Sequence, residues 1–188
     1  LATSGVVSRV ARVLKQAAAG IPLVLDPVMV ATSGDVLLEE DAIAAVLDEL
    51  LPLATLLTPN APEAARLTGL PVTNPGEQAA AGRALVEAGA RAVLVKGGHL
   101  TGPVVHDVLV TAREMRVFET PRLDTRNTHG TGCTLASAIA ARLAQGMELP
   151  QAIEGAGRYL HEAIARAPGF GSGKGPVDHV WTLREALR

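Results

Sequence analysis

Cysteine occurs once in these 188 residues, which excludes an internal disulfide framework and suits a reducing compartment. Aromatic side chains are nearly as scarce, with one Trp, one Tyr and two Phe, so a planar ligand has few rings to stack on and must rely on aliphatic walls. Positive charge is not in excess: the formal net charge is −2, and no nucleic-acid partner is expected. No apolar run reaches the roughly 18 residues of a transmembrane helix and no charged-then-apolar leader opens the chain. No membrane partner is therefore expected, and the cytoplasm is the expected location. What is present is 48% hydrophobic residues, enough for one soluble globular domain with a substantial core.

Glycine and proline punctuate that material into short elements. The spacing of Val6, Val7, Val10, Val13 and Leu14 predicts a helix starting just after Ser4, read as its N-cap. Residues 21–25, 55–58 and 92–95 are short runs of the kind buried on both faces of a parallel sheet, and a helix over 39–51 separates the first two. Pro early and Gly just past the end predict a helix over 62–68 closed by Gly69, and another over 75–88 closed by Gly89. Residues 104–110 and 115–120 predict a hairpin, hence an antiparallel edge. Helices over 134–145, with Gly146 as its stop, and over 150–165 follow. The alternation is that of an α/β fold with a mostly parallel sheet.

One stretch crowds glycine, hydroxyl and thiol chemistry ahead of a helix: Asn127-Thr128-His129-Gly130-Thr131-Gly132-Cys133-Thr134. Free N–H groups and the helix dipole make such a turn an anion site, and the glycines let a ligand approach the backbone. Cys133 lies in the same field, which favours thiolate and makes it a usable base or nucleophile. The spacing is not that of a P-loop, which is absent throughout. A buried, inert cysteine after an ordinary Gly-rich helix start is the plain alternative.

Polar residues gather at the predicted strand ends, where open α/β sheets bind ligands. Asp26 follows the first strand, Asn60 and Glu63 the second, and Lys96 the third, while Cys133 opens a later helix; the expectation is that these four segments share one rim. Each has a plainer reading: Asp26 starts a turn before Pro27, Asn60 caps a helix, Glu63 answers the helix dipole, and His99 is a solvated loop residue. Together, carboxylates and a lysine beside an anion turn suit a magnesium–nucleotide complex.

Five stretches, in order along nearly the whole chain, carry a resemblance. They are Asp26-Pro27-Val28-Met29-Val30-Ala31-Thr32-Ser33-Gly34, Thr58-Pro59-Asn60-Ala61-Pro62-Glu63, Lys96-Gly97-Gly98-His99, the turn 127–134, and Gly175-Pro176-Val177-Asp178-His179. The chain resembles the hydroxymethylpyrimidine/phosphomethylpyrimidine kinases of thiamine biosynthesis, in the ribokinase-like superfamily. The resemblance implies a three-layer α/β/α sandwich with a mostly parallel sheet and an antiparallel edge hairpin, and one kinase domain over 1–188. It implies ATP and Mg²⁺, and phosphorylation first of the hydroxymethyl group and then of the monophosphate. It also implies site roles. Gly130, Thr131, Gly132 and Cys133 form the anion hole, with Cys133 where sugar kinases of the superfamily carry an Asp base. Asp26, Asn60 and Glu63 act on the metal, Lys96 and Thr128 face the nucleotide phosphates, and Gly175, Pro176 and Val177 border the adenine.

The resemblance departs at the front. The family opens with a strand, a Gly/Ser-rich segment and a Gln-bearing loop that hold the pyrimidine, and these are expected upstream of Leu1, so the domain is read as N-terminally incomplete. Two other readings stand beside the pyrimidine kinase: a vitamin B6 kinase of the same superfamily, since pyridoxal also offers a hydroxymethyl group on a six-membered aromatic ring, and a catalytically silent nucleotide-binding remnant. A homodimer is among the assemblies expected.

Overall fold

A computed structural model of the chain describes residues 3–29, 37 and 39–186. Val30-Ala31-Thr32-Ser33-Gly34, which continue the Asp26 stretch, lie outside them. The chain divides into two compact units, Leu1–Glu119 and Thr120–Arg188.

The first unit runs α1 (Ser4–Ala17), β1 (Val24–Leu25), α2 (Glu40–Ala45), β2 (Leu56–Leu57), α3 (Ala61–Thr68), α4 (Pro75–Glu87), β3 (Ala92–Val95), β4 (Val104–Thr111) and β5 (Met115–Pro121); the last residues of β5 cross into the second unit. The sheet order is β1-β2-β3-β4-β5. Val24 lies opposite Leu56 and Leu57 opposite Val93 in parallel pairs, whereas β3 and β4 run antiparallel from Ala92 opposite Thr111 to Val95 opposite Val108. One apolar cluster joins Val7 and Ala11 of α1, Ile43 of α2, Leu25, Leu57 and Val93 of the strands and Leu85 of α4. Each fully buried Val or Leu there contributes about 1.5–3 kcal/mol before entropy is counted.

Several boundaries differ from expectation. Ser4 is the first residue of α1 rather than its cap; Thr3 holds the N-cap position without a side-chain bond, and the Ser4 hydroxyl donates instead to Asp41 at 2.7 Å. The helix expected over 39–51 is α-helical only to Ala45. It loosens into a π-helical turn (Val46–Leu50) and a 3₁₀ turn (Leu51–Leu53), because Pro52 has no N–H to donate and its ring crowds the carbonyl one turn back. Strand β1 is shorter than the run 21–25: Ile21 is exposed, and Leu23 N donates to the Thr55 hydroxyl oxygen at 3.0 Å in place of a ladder partner. The helix α3 starts and stops as its punctuation requires, with an Asn60–Glu63 capping box and Gly69 at φ 72°.

The second unit contains α5 (Thr131–Ala144), α6 (Leu149–Ala165) and α7 (Trp181–Ala186). Helix α5 begins three residues before the expected 134, since Gly130 takes the N-cap position in the left-handed region at φ 76°. The sequence pattern predicts no helix where α7 lies. Trp181 anchors it, stacking on Tyr159 at 6.0 Å between centroids, donating its ring N–H to the Tyr159 carbonyl at 3.3 Å and lying beneath the Arg166 guanidinium. Among the described residues, no helix is long and apolar enough to cross a membrane.

Candidate functional site

Three of the four expected segments meet in the first unit, at the carboxyl ends of β1, β2 and β3. Beyond the ladders, Asn60 and Lys96 still pair as a parallel bridge, and Lys96 N donates to Pro59 O at 2.8 Å. This carries the lysine to the rim, where Nζ donates to Asp26 Oδ1 at 2.7 Å; the side chains retain only 12% and 13% exposure. The Thr58 hydroxyl donates to the same Asp26 oxygen at 3.0 Å, which leaves Oδ2 out of both bonds.

Glu63 belongs to the same corner. Its Oε2 accepts the Asn60 N–H at 2.8 Å, and the Asn60 Oδ1 accepts the Glu63 N–H at 2.9 Å. Its Oε1 lies 3.5 Å from the Met29 N–H, which donates to it. Burial pushes the Glu63 carboxyl above the ordinary glutamate range; the Asn60 N–H and the Lys96 charge oppose that rise and the Asp26 charge adds to it. The cap reading of Asn60 and Glu63 and their place beside Asp26 and Lys96 thus coexist.

The donor set limits what metal the corner could hold. Among the described residues no three His, Cys, Asp or Glu side chains converge as a cage, and both Glu63 oxygens already accept N–H bonds. An oxygen-only corner in which Asp26 Oδ2 takes no part in the Lys96 and Thr58 bonds suits a hard ion carried largely by phosphate and water, as Mg²⁺ commonly is, and not a fully protein-ligated one.

In the second unit the turn has the geometry of an anion site. Gly130 precedes α5, whose first turn carries neither a side-chain cap nor an acidic residue. The hydroxyls are spent locally: Thr131 Oγ1 donates to Thr128 O at 3.1 Å and Thr134 Oγ1 to Gly130 O at 2.8 Å. The amides ahead of Thr134 are therefore left to point along the axis. Thr128 is exposed, as is Cys133. A cleft of about 640 Å³ opens on Gly130, Cys133, Thr134, Ser137, Tyr159 and His179.

The expected adenine-side loop lies against this turn. His129 N donates to Gly175 O at 3.1 Å, and His129 pairs with Pro176 as a parallel bridge. Gly175 has no room for a side chain: a Cβ there would lie 2.2 Å from Asn127 Oδ1. Val177 and Asp178 are buried, with Asp178 N donating to Ala163 O at 2.8 Å and the Asp178 carboxylate paired to Arg184.

Sequence reasoning missed two side chains beside Lys96. Gln78 of α4 donates from Nε2 to Val95 O at 2.9 Å and His106 O at 2.8 Å, and Asp107 Oδ1 accepts the Gly97 N–H at 2.8 Å. Burial drives the Asp107 carboxyl upward, against the Gly97 N–H and the Lys96 charge. An aspartate inside the apolar strand 104–110 was a usable signal; for Gln78, between Glu77 and Ala79, there was none.

A family model described as phosphomethylpyrimidine kinase matches residues 1–178. The hydroxymethylpyrimidine/phosphomethylpyrimidine kinase of Rhizobium meliloti (strain 1021) is 50% identical over 159 residues, which are 83% of this chain and 60% of that protein. This chain thus spans about three fifths of that relative's length. Among solved structures, the ADP complex of Bacillus subtilis pyridoxal kinase superposes with TM-score 0.86 at 31% identity, covering 97% of this chain and 67% of that one. Phosphomethylpyrimidine kinase from Clostridium difficile 630 superposes with TM-score 0.74 at 34% identity, covering 87% and 66%. The α/β fold with a mostly parallel sheet is that of these ribokinase-like kinases.

Proposed function

The chain belongs to the phosphomethylpyrimidine kinase family, and from that premise we propose that it transfers the γ-phosphoryl group of ATP to 4-amino-5-hydroxymethyl-2-methylpyrimidine and then to the resulting monophosphate. The observation that carries the reading is the uncapped first turn of α5 with the exposed thiol of Cys133 within it. In the first transfer the hydroxymethyl oxygen forms a bond to the γ-phosphorus, the bond from that phosphorus to the bridging oxygen breaks, and ADP leaves. The hydroxyl proton passes to the sulfur of Cys133, acting as the base, and the N–H groups of the Gly130, Thr131 and Gly132 turn receive the negative oxygens. Little covalent chemistry is asked of the protein, so positioning and charge neutralisation supply most of the rate.

Lys96 and Thr128 are assigned to the nucleotide phosphates, and Gly175, Pro176 and Val177 to the adenine edge. Mg²⁺ would neutralise phosphate charge. Asp26 is the carboxylate available to it, with Asn60 and Glu63 holding the corner behind. The single cysteine and the soluble-kinase family support a cytoplasmic reaction. A vitamin B6 kinase is the second reading, favoured by the higher TM-score to the pyridoxal kinase structure. The test is kcat/KM of the full-length protein on hydroxymethylpyrimidine and on pyridoxal. Preference for the pyrimidine is expected; preference for pyridoxal reverses the assignment, and nucleotide binding with turnover of neither overturns the enzyme reading.

A further inference from the structure

We propose that Gln78, working with Asp107, is a positioning residue for Lys96: together they hold the backbone on either side of that lysine where the β3–β4 ladder no longer does. The inference rests on the reading of Lys96 as a phosphate ligand for its consequence, though not for its geometry.

The regular antiparallel register ends at Val95 opposite Val108. Continued by two places, it would set Lys96 against Asp107 and Gly97 against His106. Side chains take over there. Gln78 Nε2 bridges the carbonyls of Val95 and His106 at 2.9 and 2.8 Å, and the Gly97 N–H donates to the Asp107 carboxylate at 2.8 Å. The backbones stay close only because residue 97 is glycine, since a Cβ would stand 2.1 Å from His106 O and 3.1 Å from Gln78 Nε2. On the opposite side Lys96 N is fixed by Pro59 O. The lysine's backbone is thus held from both neighbouring strands, and its Nζ is delivered to Asp26.

Packing alone does not explain an amide at position 78. Gln78 is fully buried, and its Oε1 has no hydrogen-bond partner; a methionine would fill similar volume without that unmet acceptor. An Nε2 donor answers the Val95 carbonyl at the ladder's last pair and the His106 carbonyl beyond it, and these acceptors also fix which end of the amide faces them.

The test uses the full-length protein carrying Gln78→Met, Lys96→Met or both. Gln78→Met is expected to lower kcat/KM for ATP by about 10- to 100-fold, the loss that follows an approximately 1 Å misplacement. In the Lys96→Met background the same change should cost no more than about twofold, the error of additivity. The Lys96 side-chain ¹³Cε resonance should move toward that of exposed lysines in Gln78→Met, at a temperature where the variant is folded. Additive kinetic losses, or an unmoved Lys96 resonance, overturn the proposal. Should Lys96→Met alone leave turnover unchanged, the phosphate-ligand reading fails, and the resonance still decides the clamp. If Gln78→Met does not fold, Asp107→Ala carries the same measurements; if neither folds, the pair serves stability only and the proposal falls.

Discussion

Lys96 Nζ lies 2.7 Å from Asp26 Oδ1 although 70 residues separate them, and both side chains are largely withdrawn from water. A pair so placed is costly to break on one side, because the remaining charge stays desolvated. Lys96→Met should destabilise the protein by about 3 kcal/mol in urea unfolding, and adding Asp26→Asn should recover part of that loss. A double variant no more stable than the single one would mean that the Asp26 charge is relieved by water or by other groups. ATP turnover should fall in both variants, since the recovered stability does not restore the cation.

How far this corner was legible depends on how local its signals are. Strand β3 occupies 92–95 as read, because four consecutive apolar residues between Arg91 and the Lys96-Gly97-Gly98 run admit little else. Asn60 was legible as a cap and Glu63 as a carboxylate of the helix's first turn, since the capping box that joins them spans only four consecutive residues. The start of α5 was misplaced because its cap is a glycine conformation, φ 76° at Gly130, and not a side chain with a recognisable propensity. The hydrophobic period over 39–51 predicts regular helix to Leu51, but Pro52 loosens the last turns before it is reached. Gln78 could not be read at all, because its partners, Val95 and His106, lie 17 and 28 residues away.

Glu63 gives a pH signature. Its carboxyl titrates above the ordinary glutamate value of about 4.5, chiefly through burial. The folded state therefore holds the proton more tightly than the unfolded one, so the group lowers stability as pH rises through the window above 4.5. Glu63→Gln removes that titration. The stability of the unchanged protein relative to Glu63→Gln should decline as pH is raised from below 4.5 and level off once Glu63 is ionised in the fold. Parallel pH profiles for the two proteins would show that the carboxyl is not raised. Under the proposed role, the variant's turnover defect should be partly relieved by raising Mg²⁺, and a defect insensitive to Mg²⁺ would leave Glu63 as a cap alone.

Cys133 is assigned the proton. Cys133→Ala should lower kcat by roughly 10²- to 10⁴-fold, the usual range for loss of a general base, with ATP affinity by titration little changed. Near-normal turnover would remove the thiol from the mechanism and leave the turn as an anion site only.

Gly175 tests the adenine-side loop without touching any group assigned to the phosphates or the proton. A Cβ at 175 would stand 2.2 Å from Asn127 Oδ1 and 3.2 Å from Phe170 O, so Gly175→Ala must displace the Asn127 side chain or the loop. The displaced loop would strain the His129 N–H bond to Gly175 O that ties it to the turn. Overpacking of this kind costs about 1–3 kcal/mol, and if it falls on the bound state the KM for ATP should rise by about 5- to 150-fold while kcat at saturating ATP changes little. Shortening the obstructing side chain with Asn127→Gly should return most of the affinity in the Gly175→Ala background, because it removes the nearer of the two contacts. Failure of that rescue, with Asn127→Gly alone harmless, would place the strain at Phe170 instead; an unchanged KM in Gly175→Ala would separate this loop from nucleotide binding altogether.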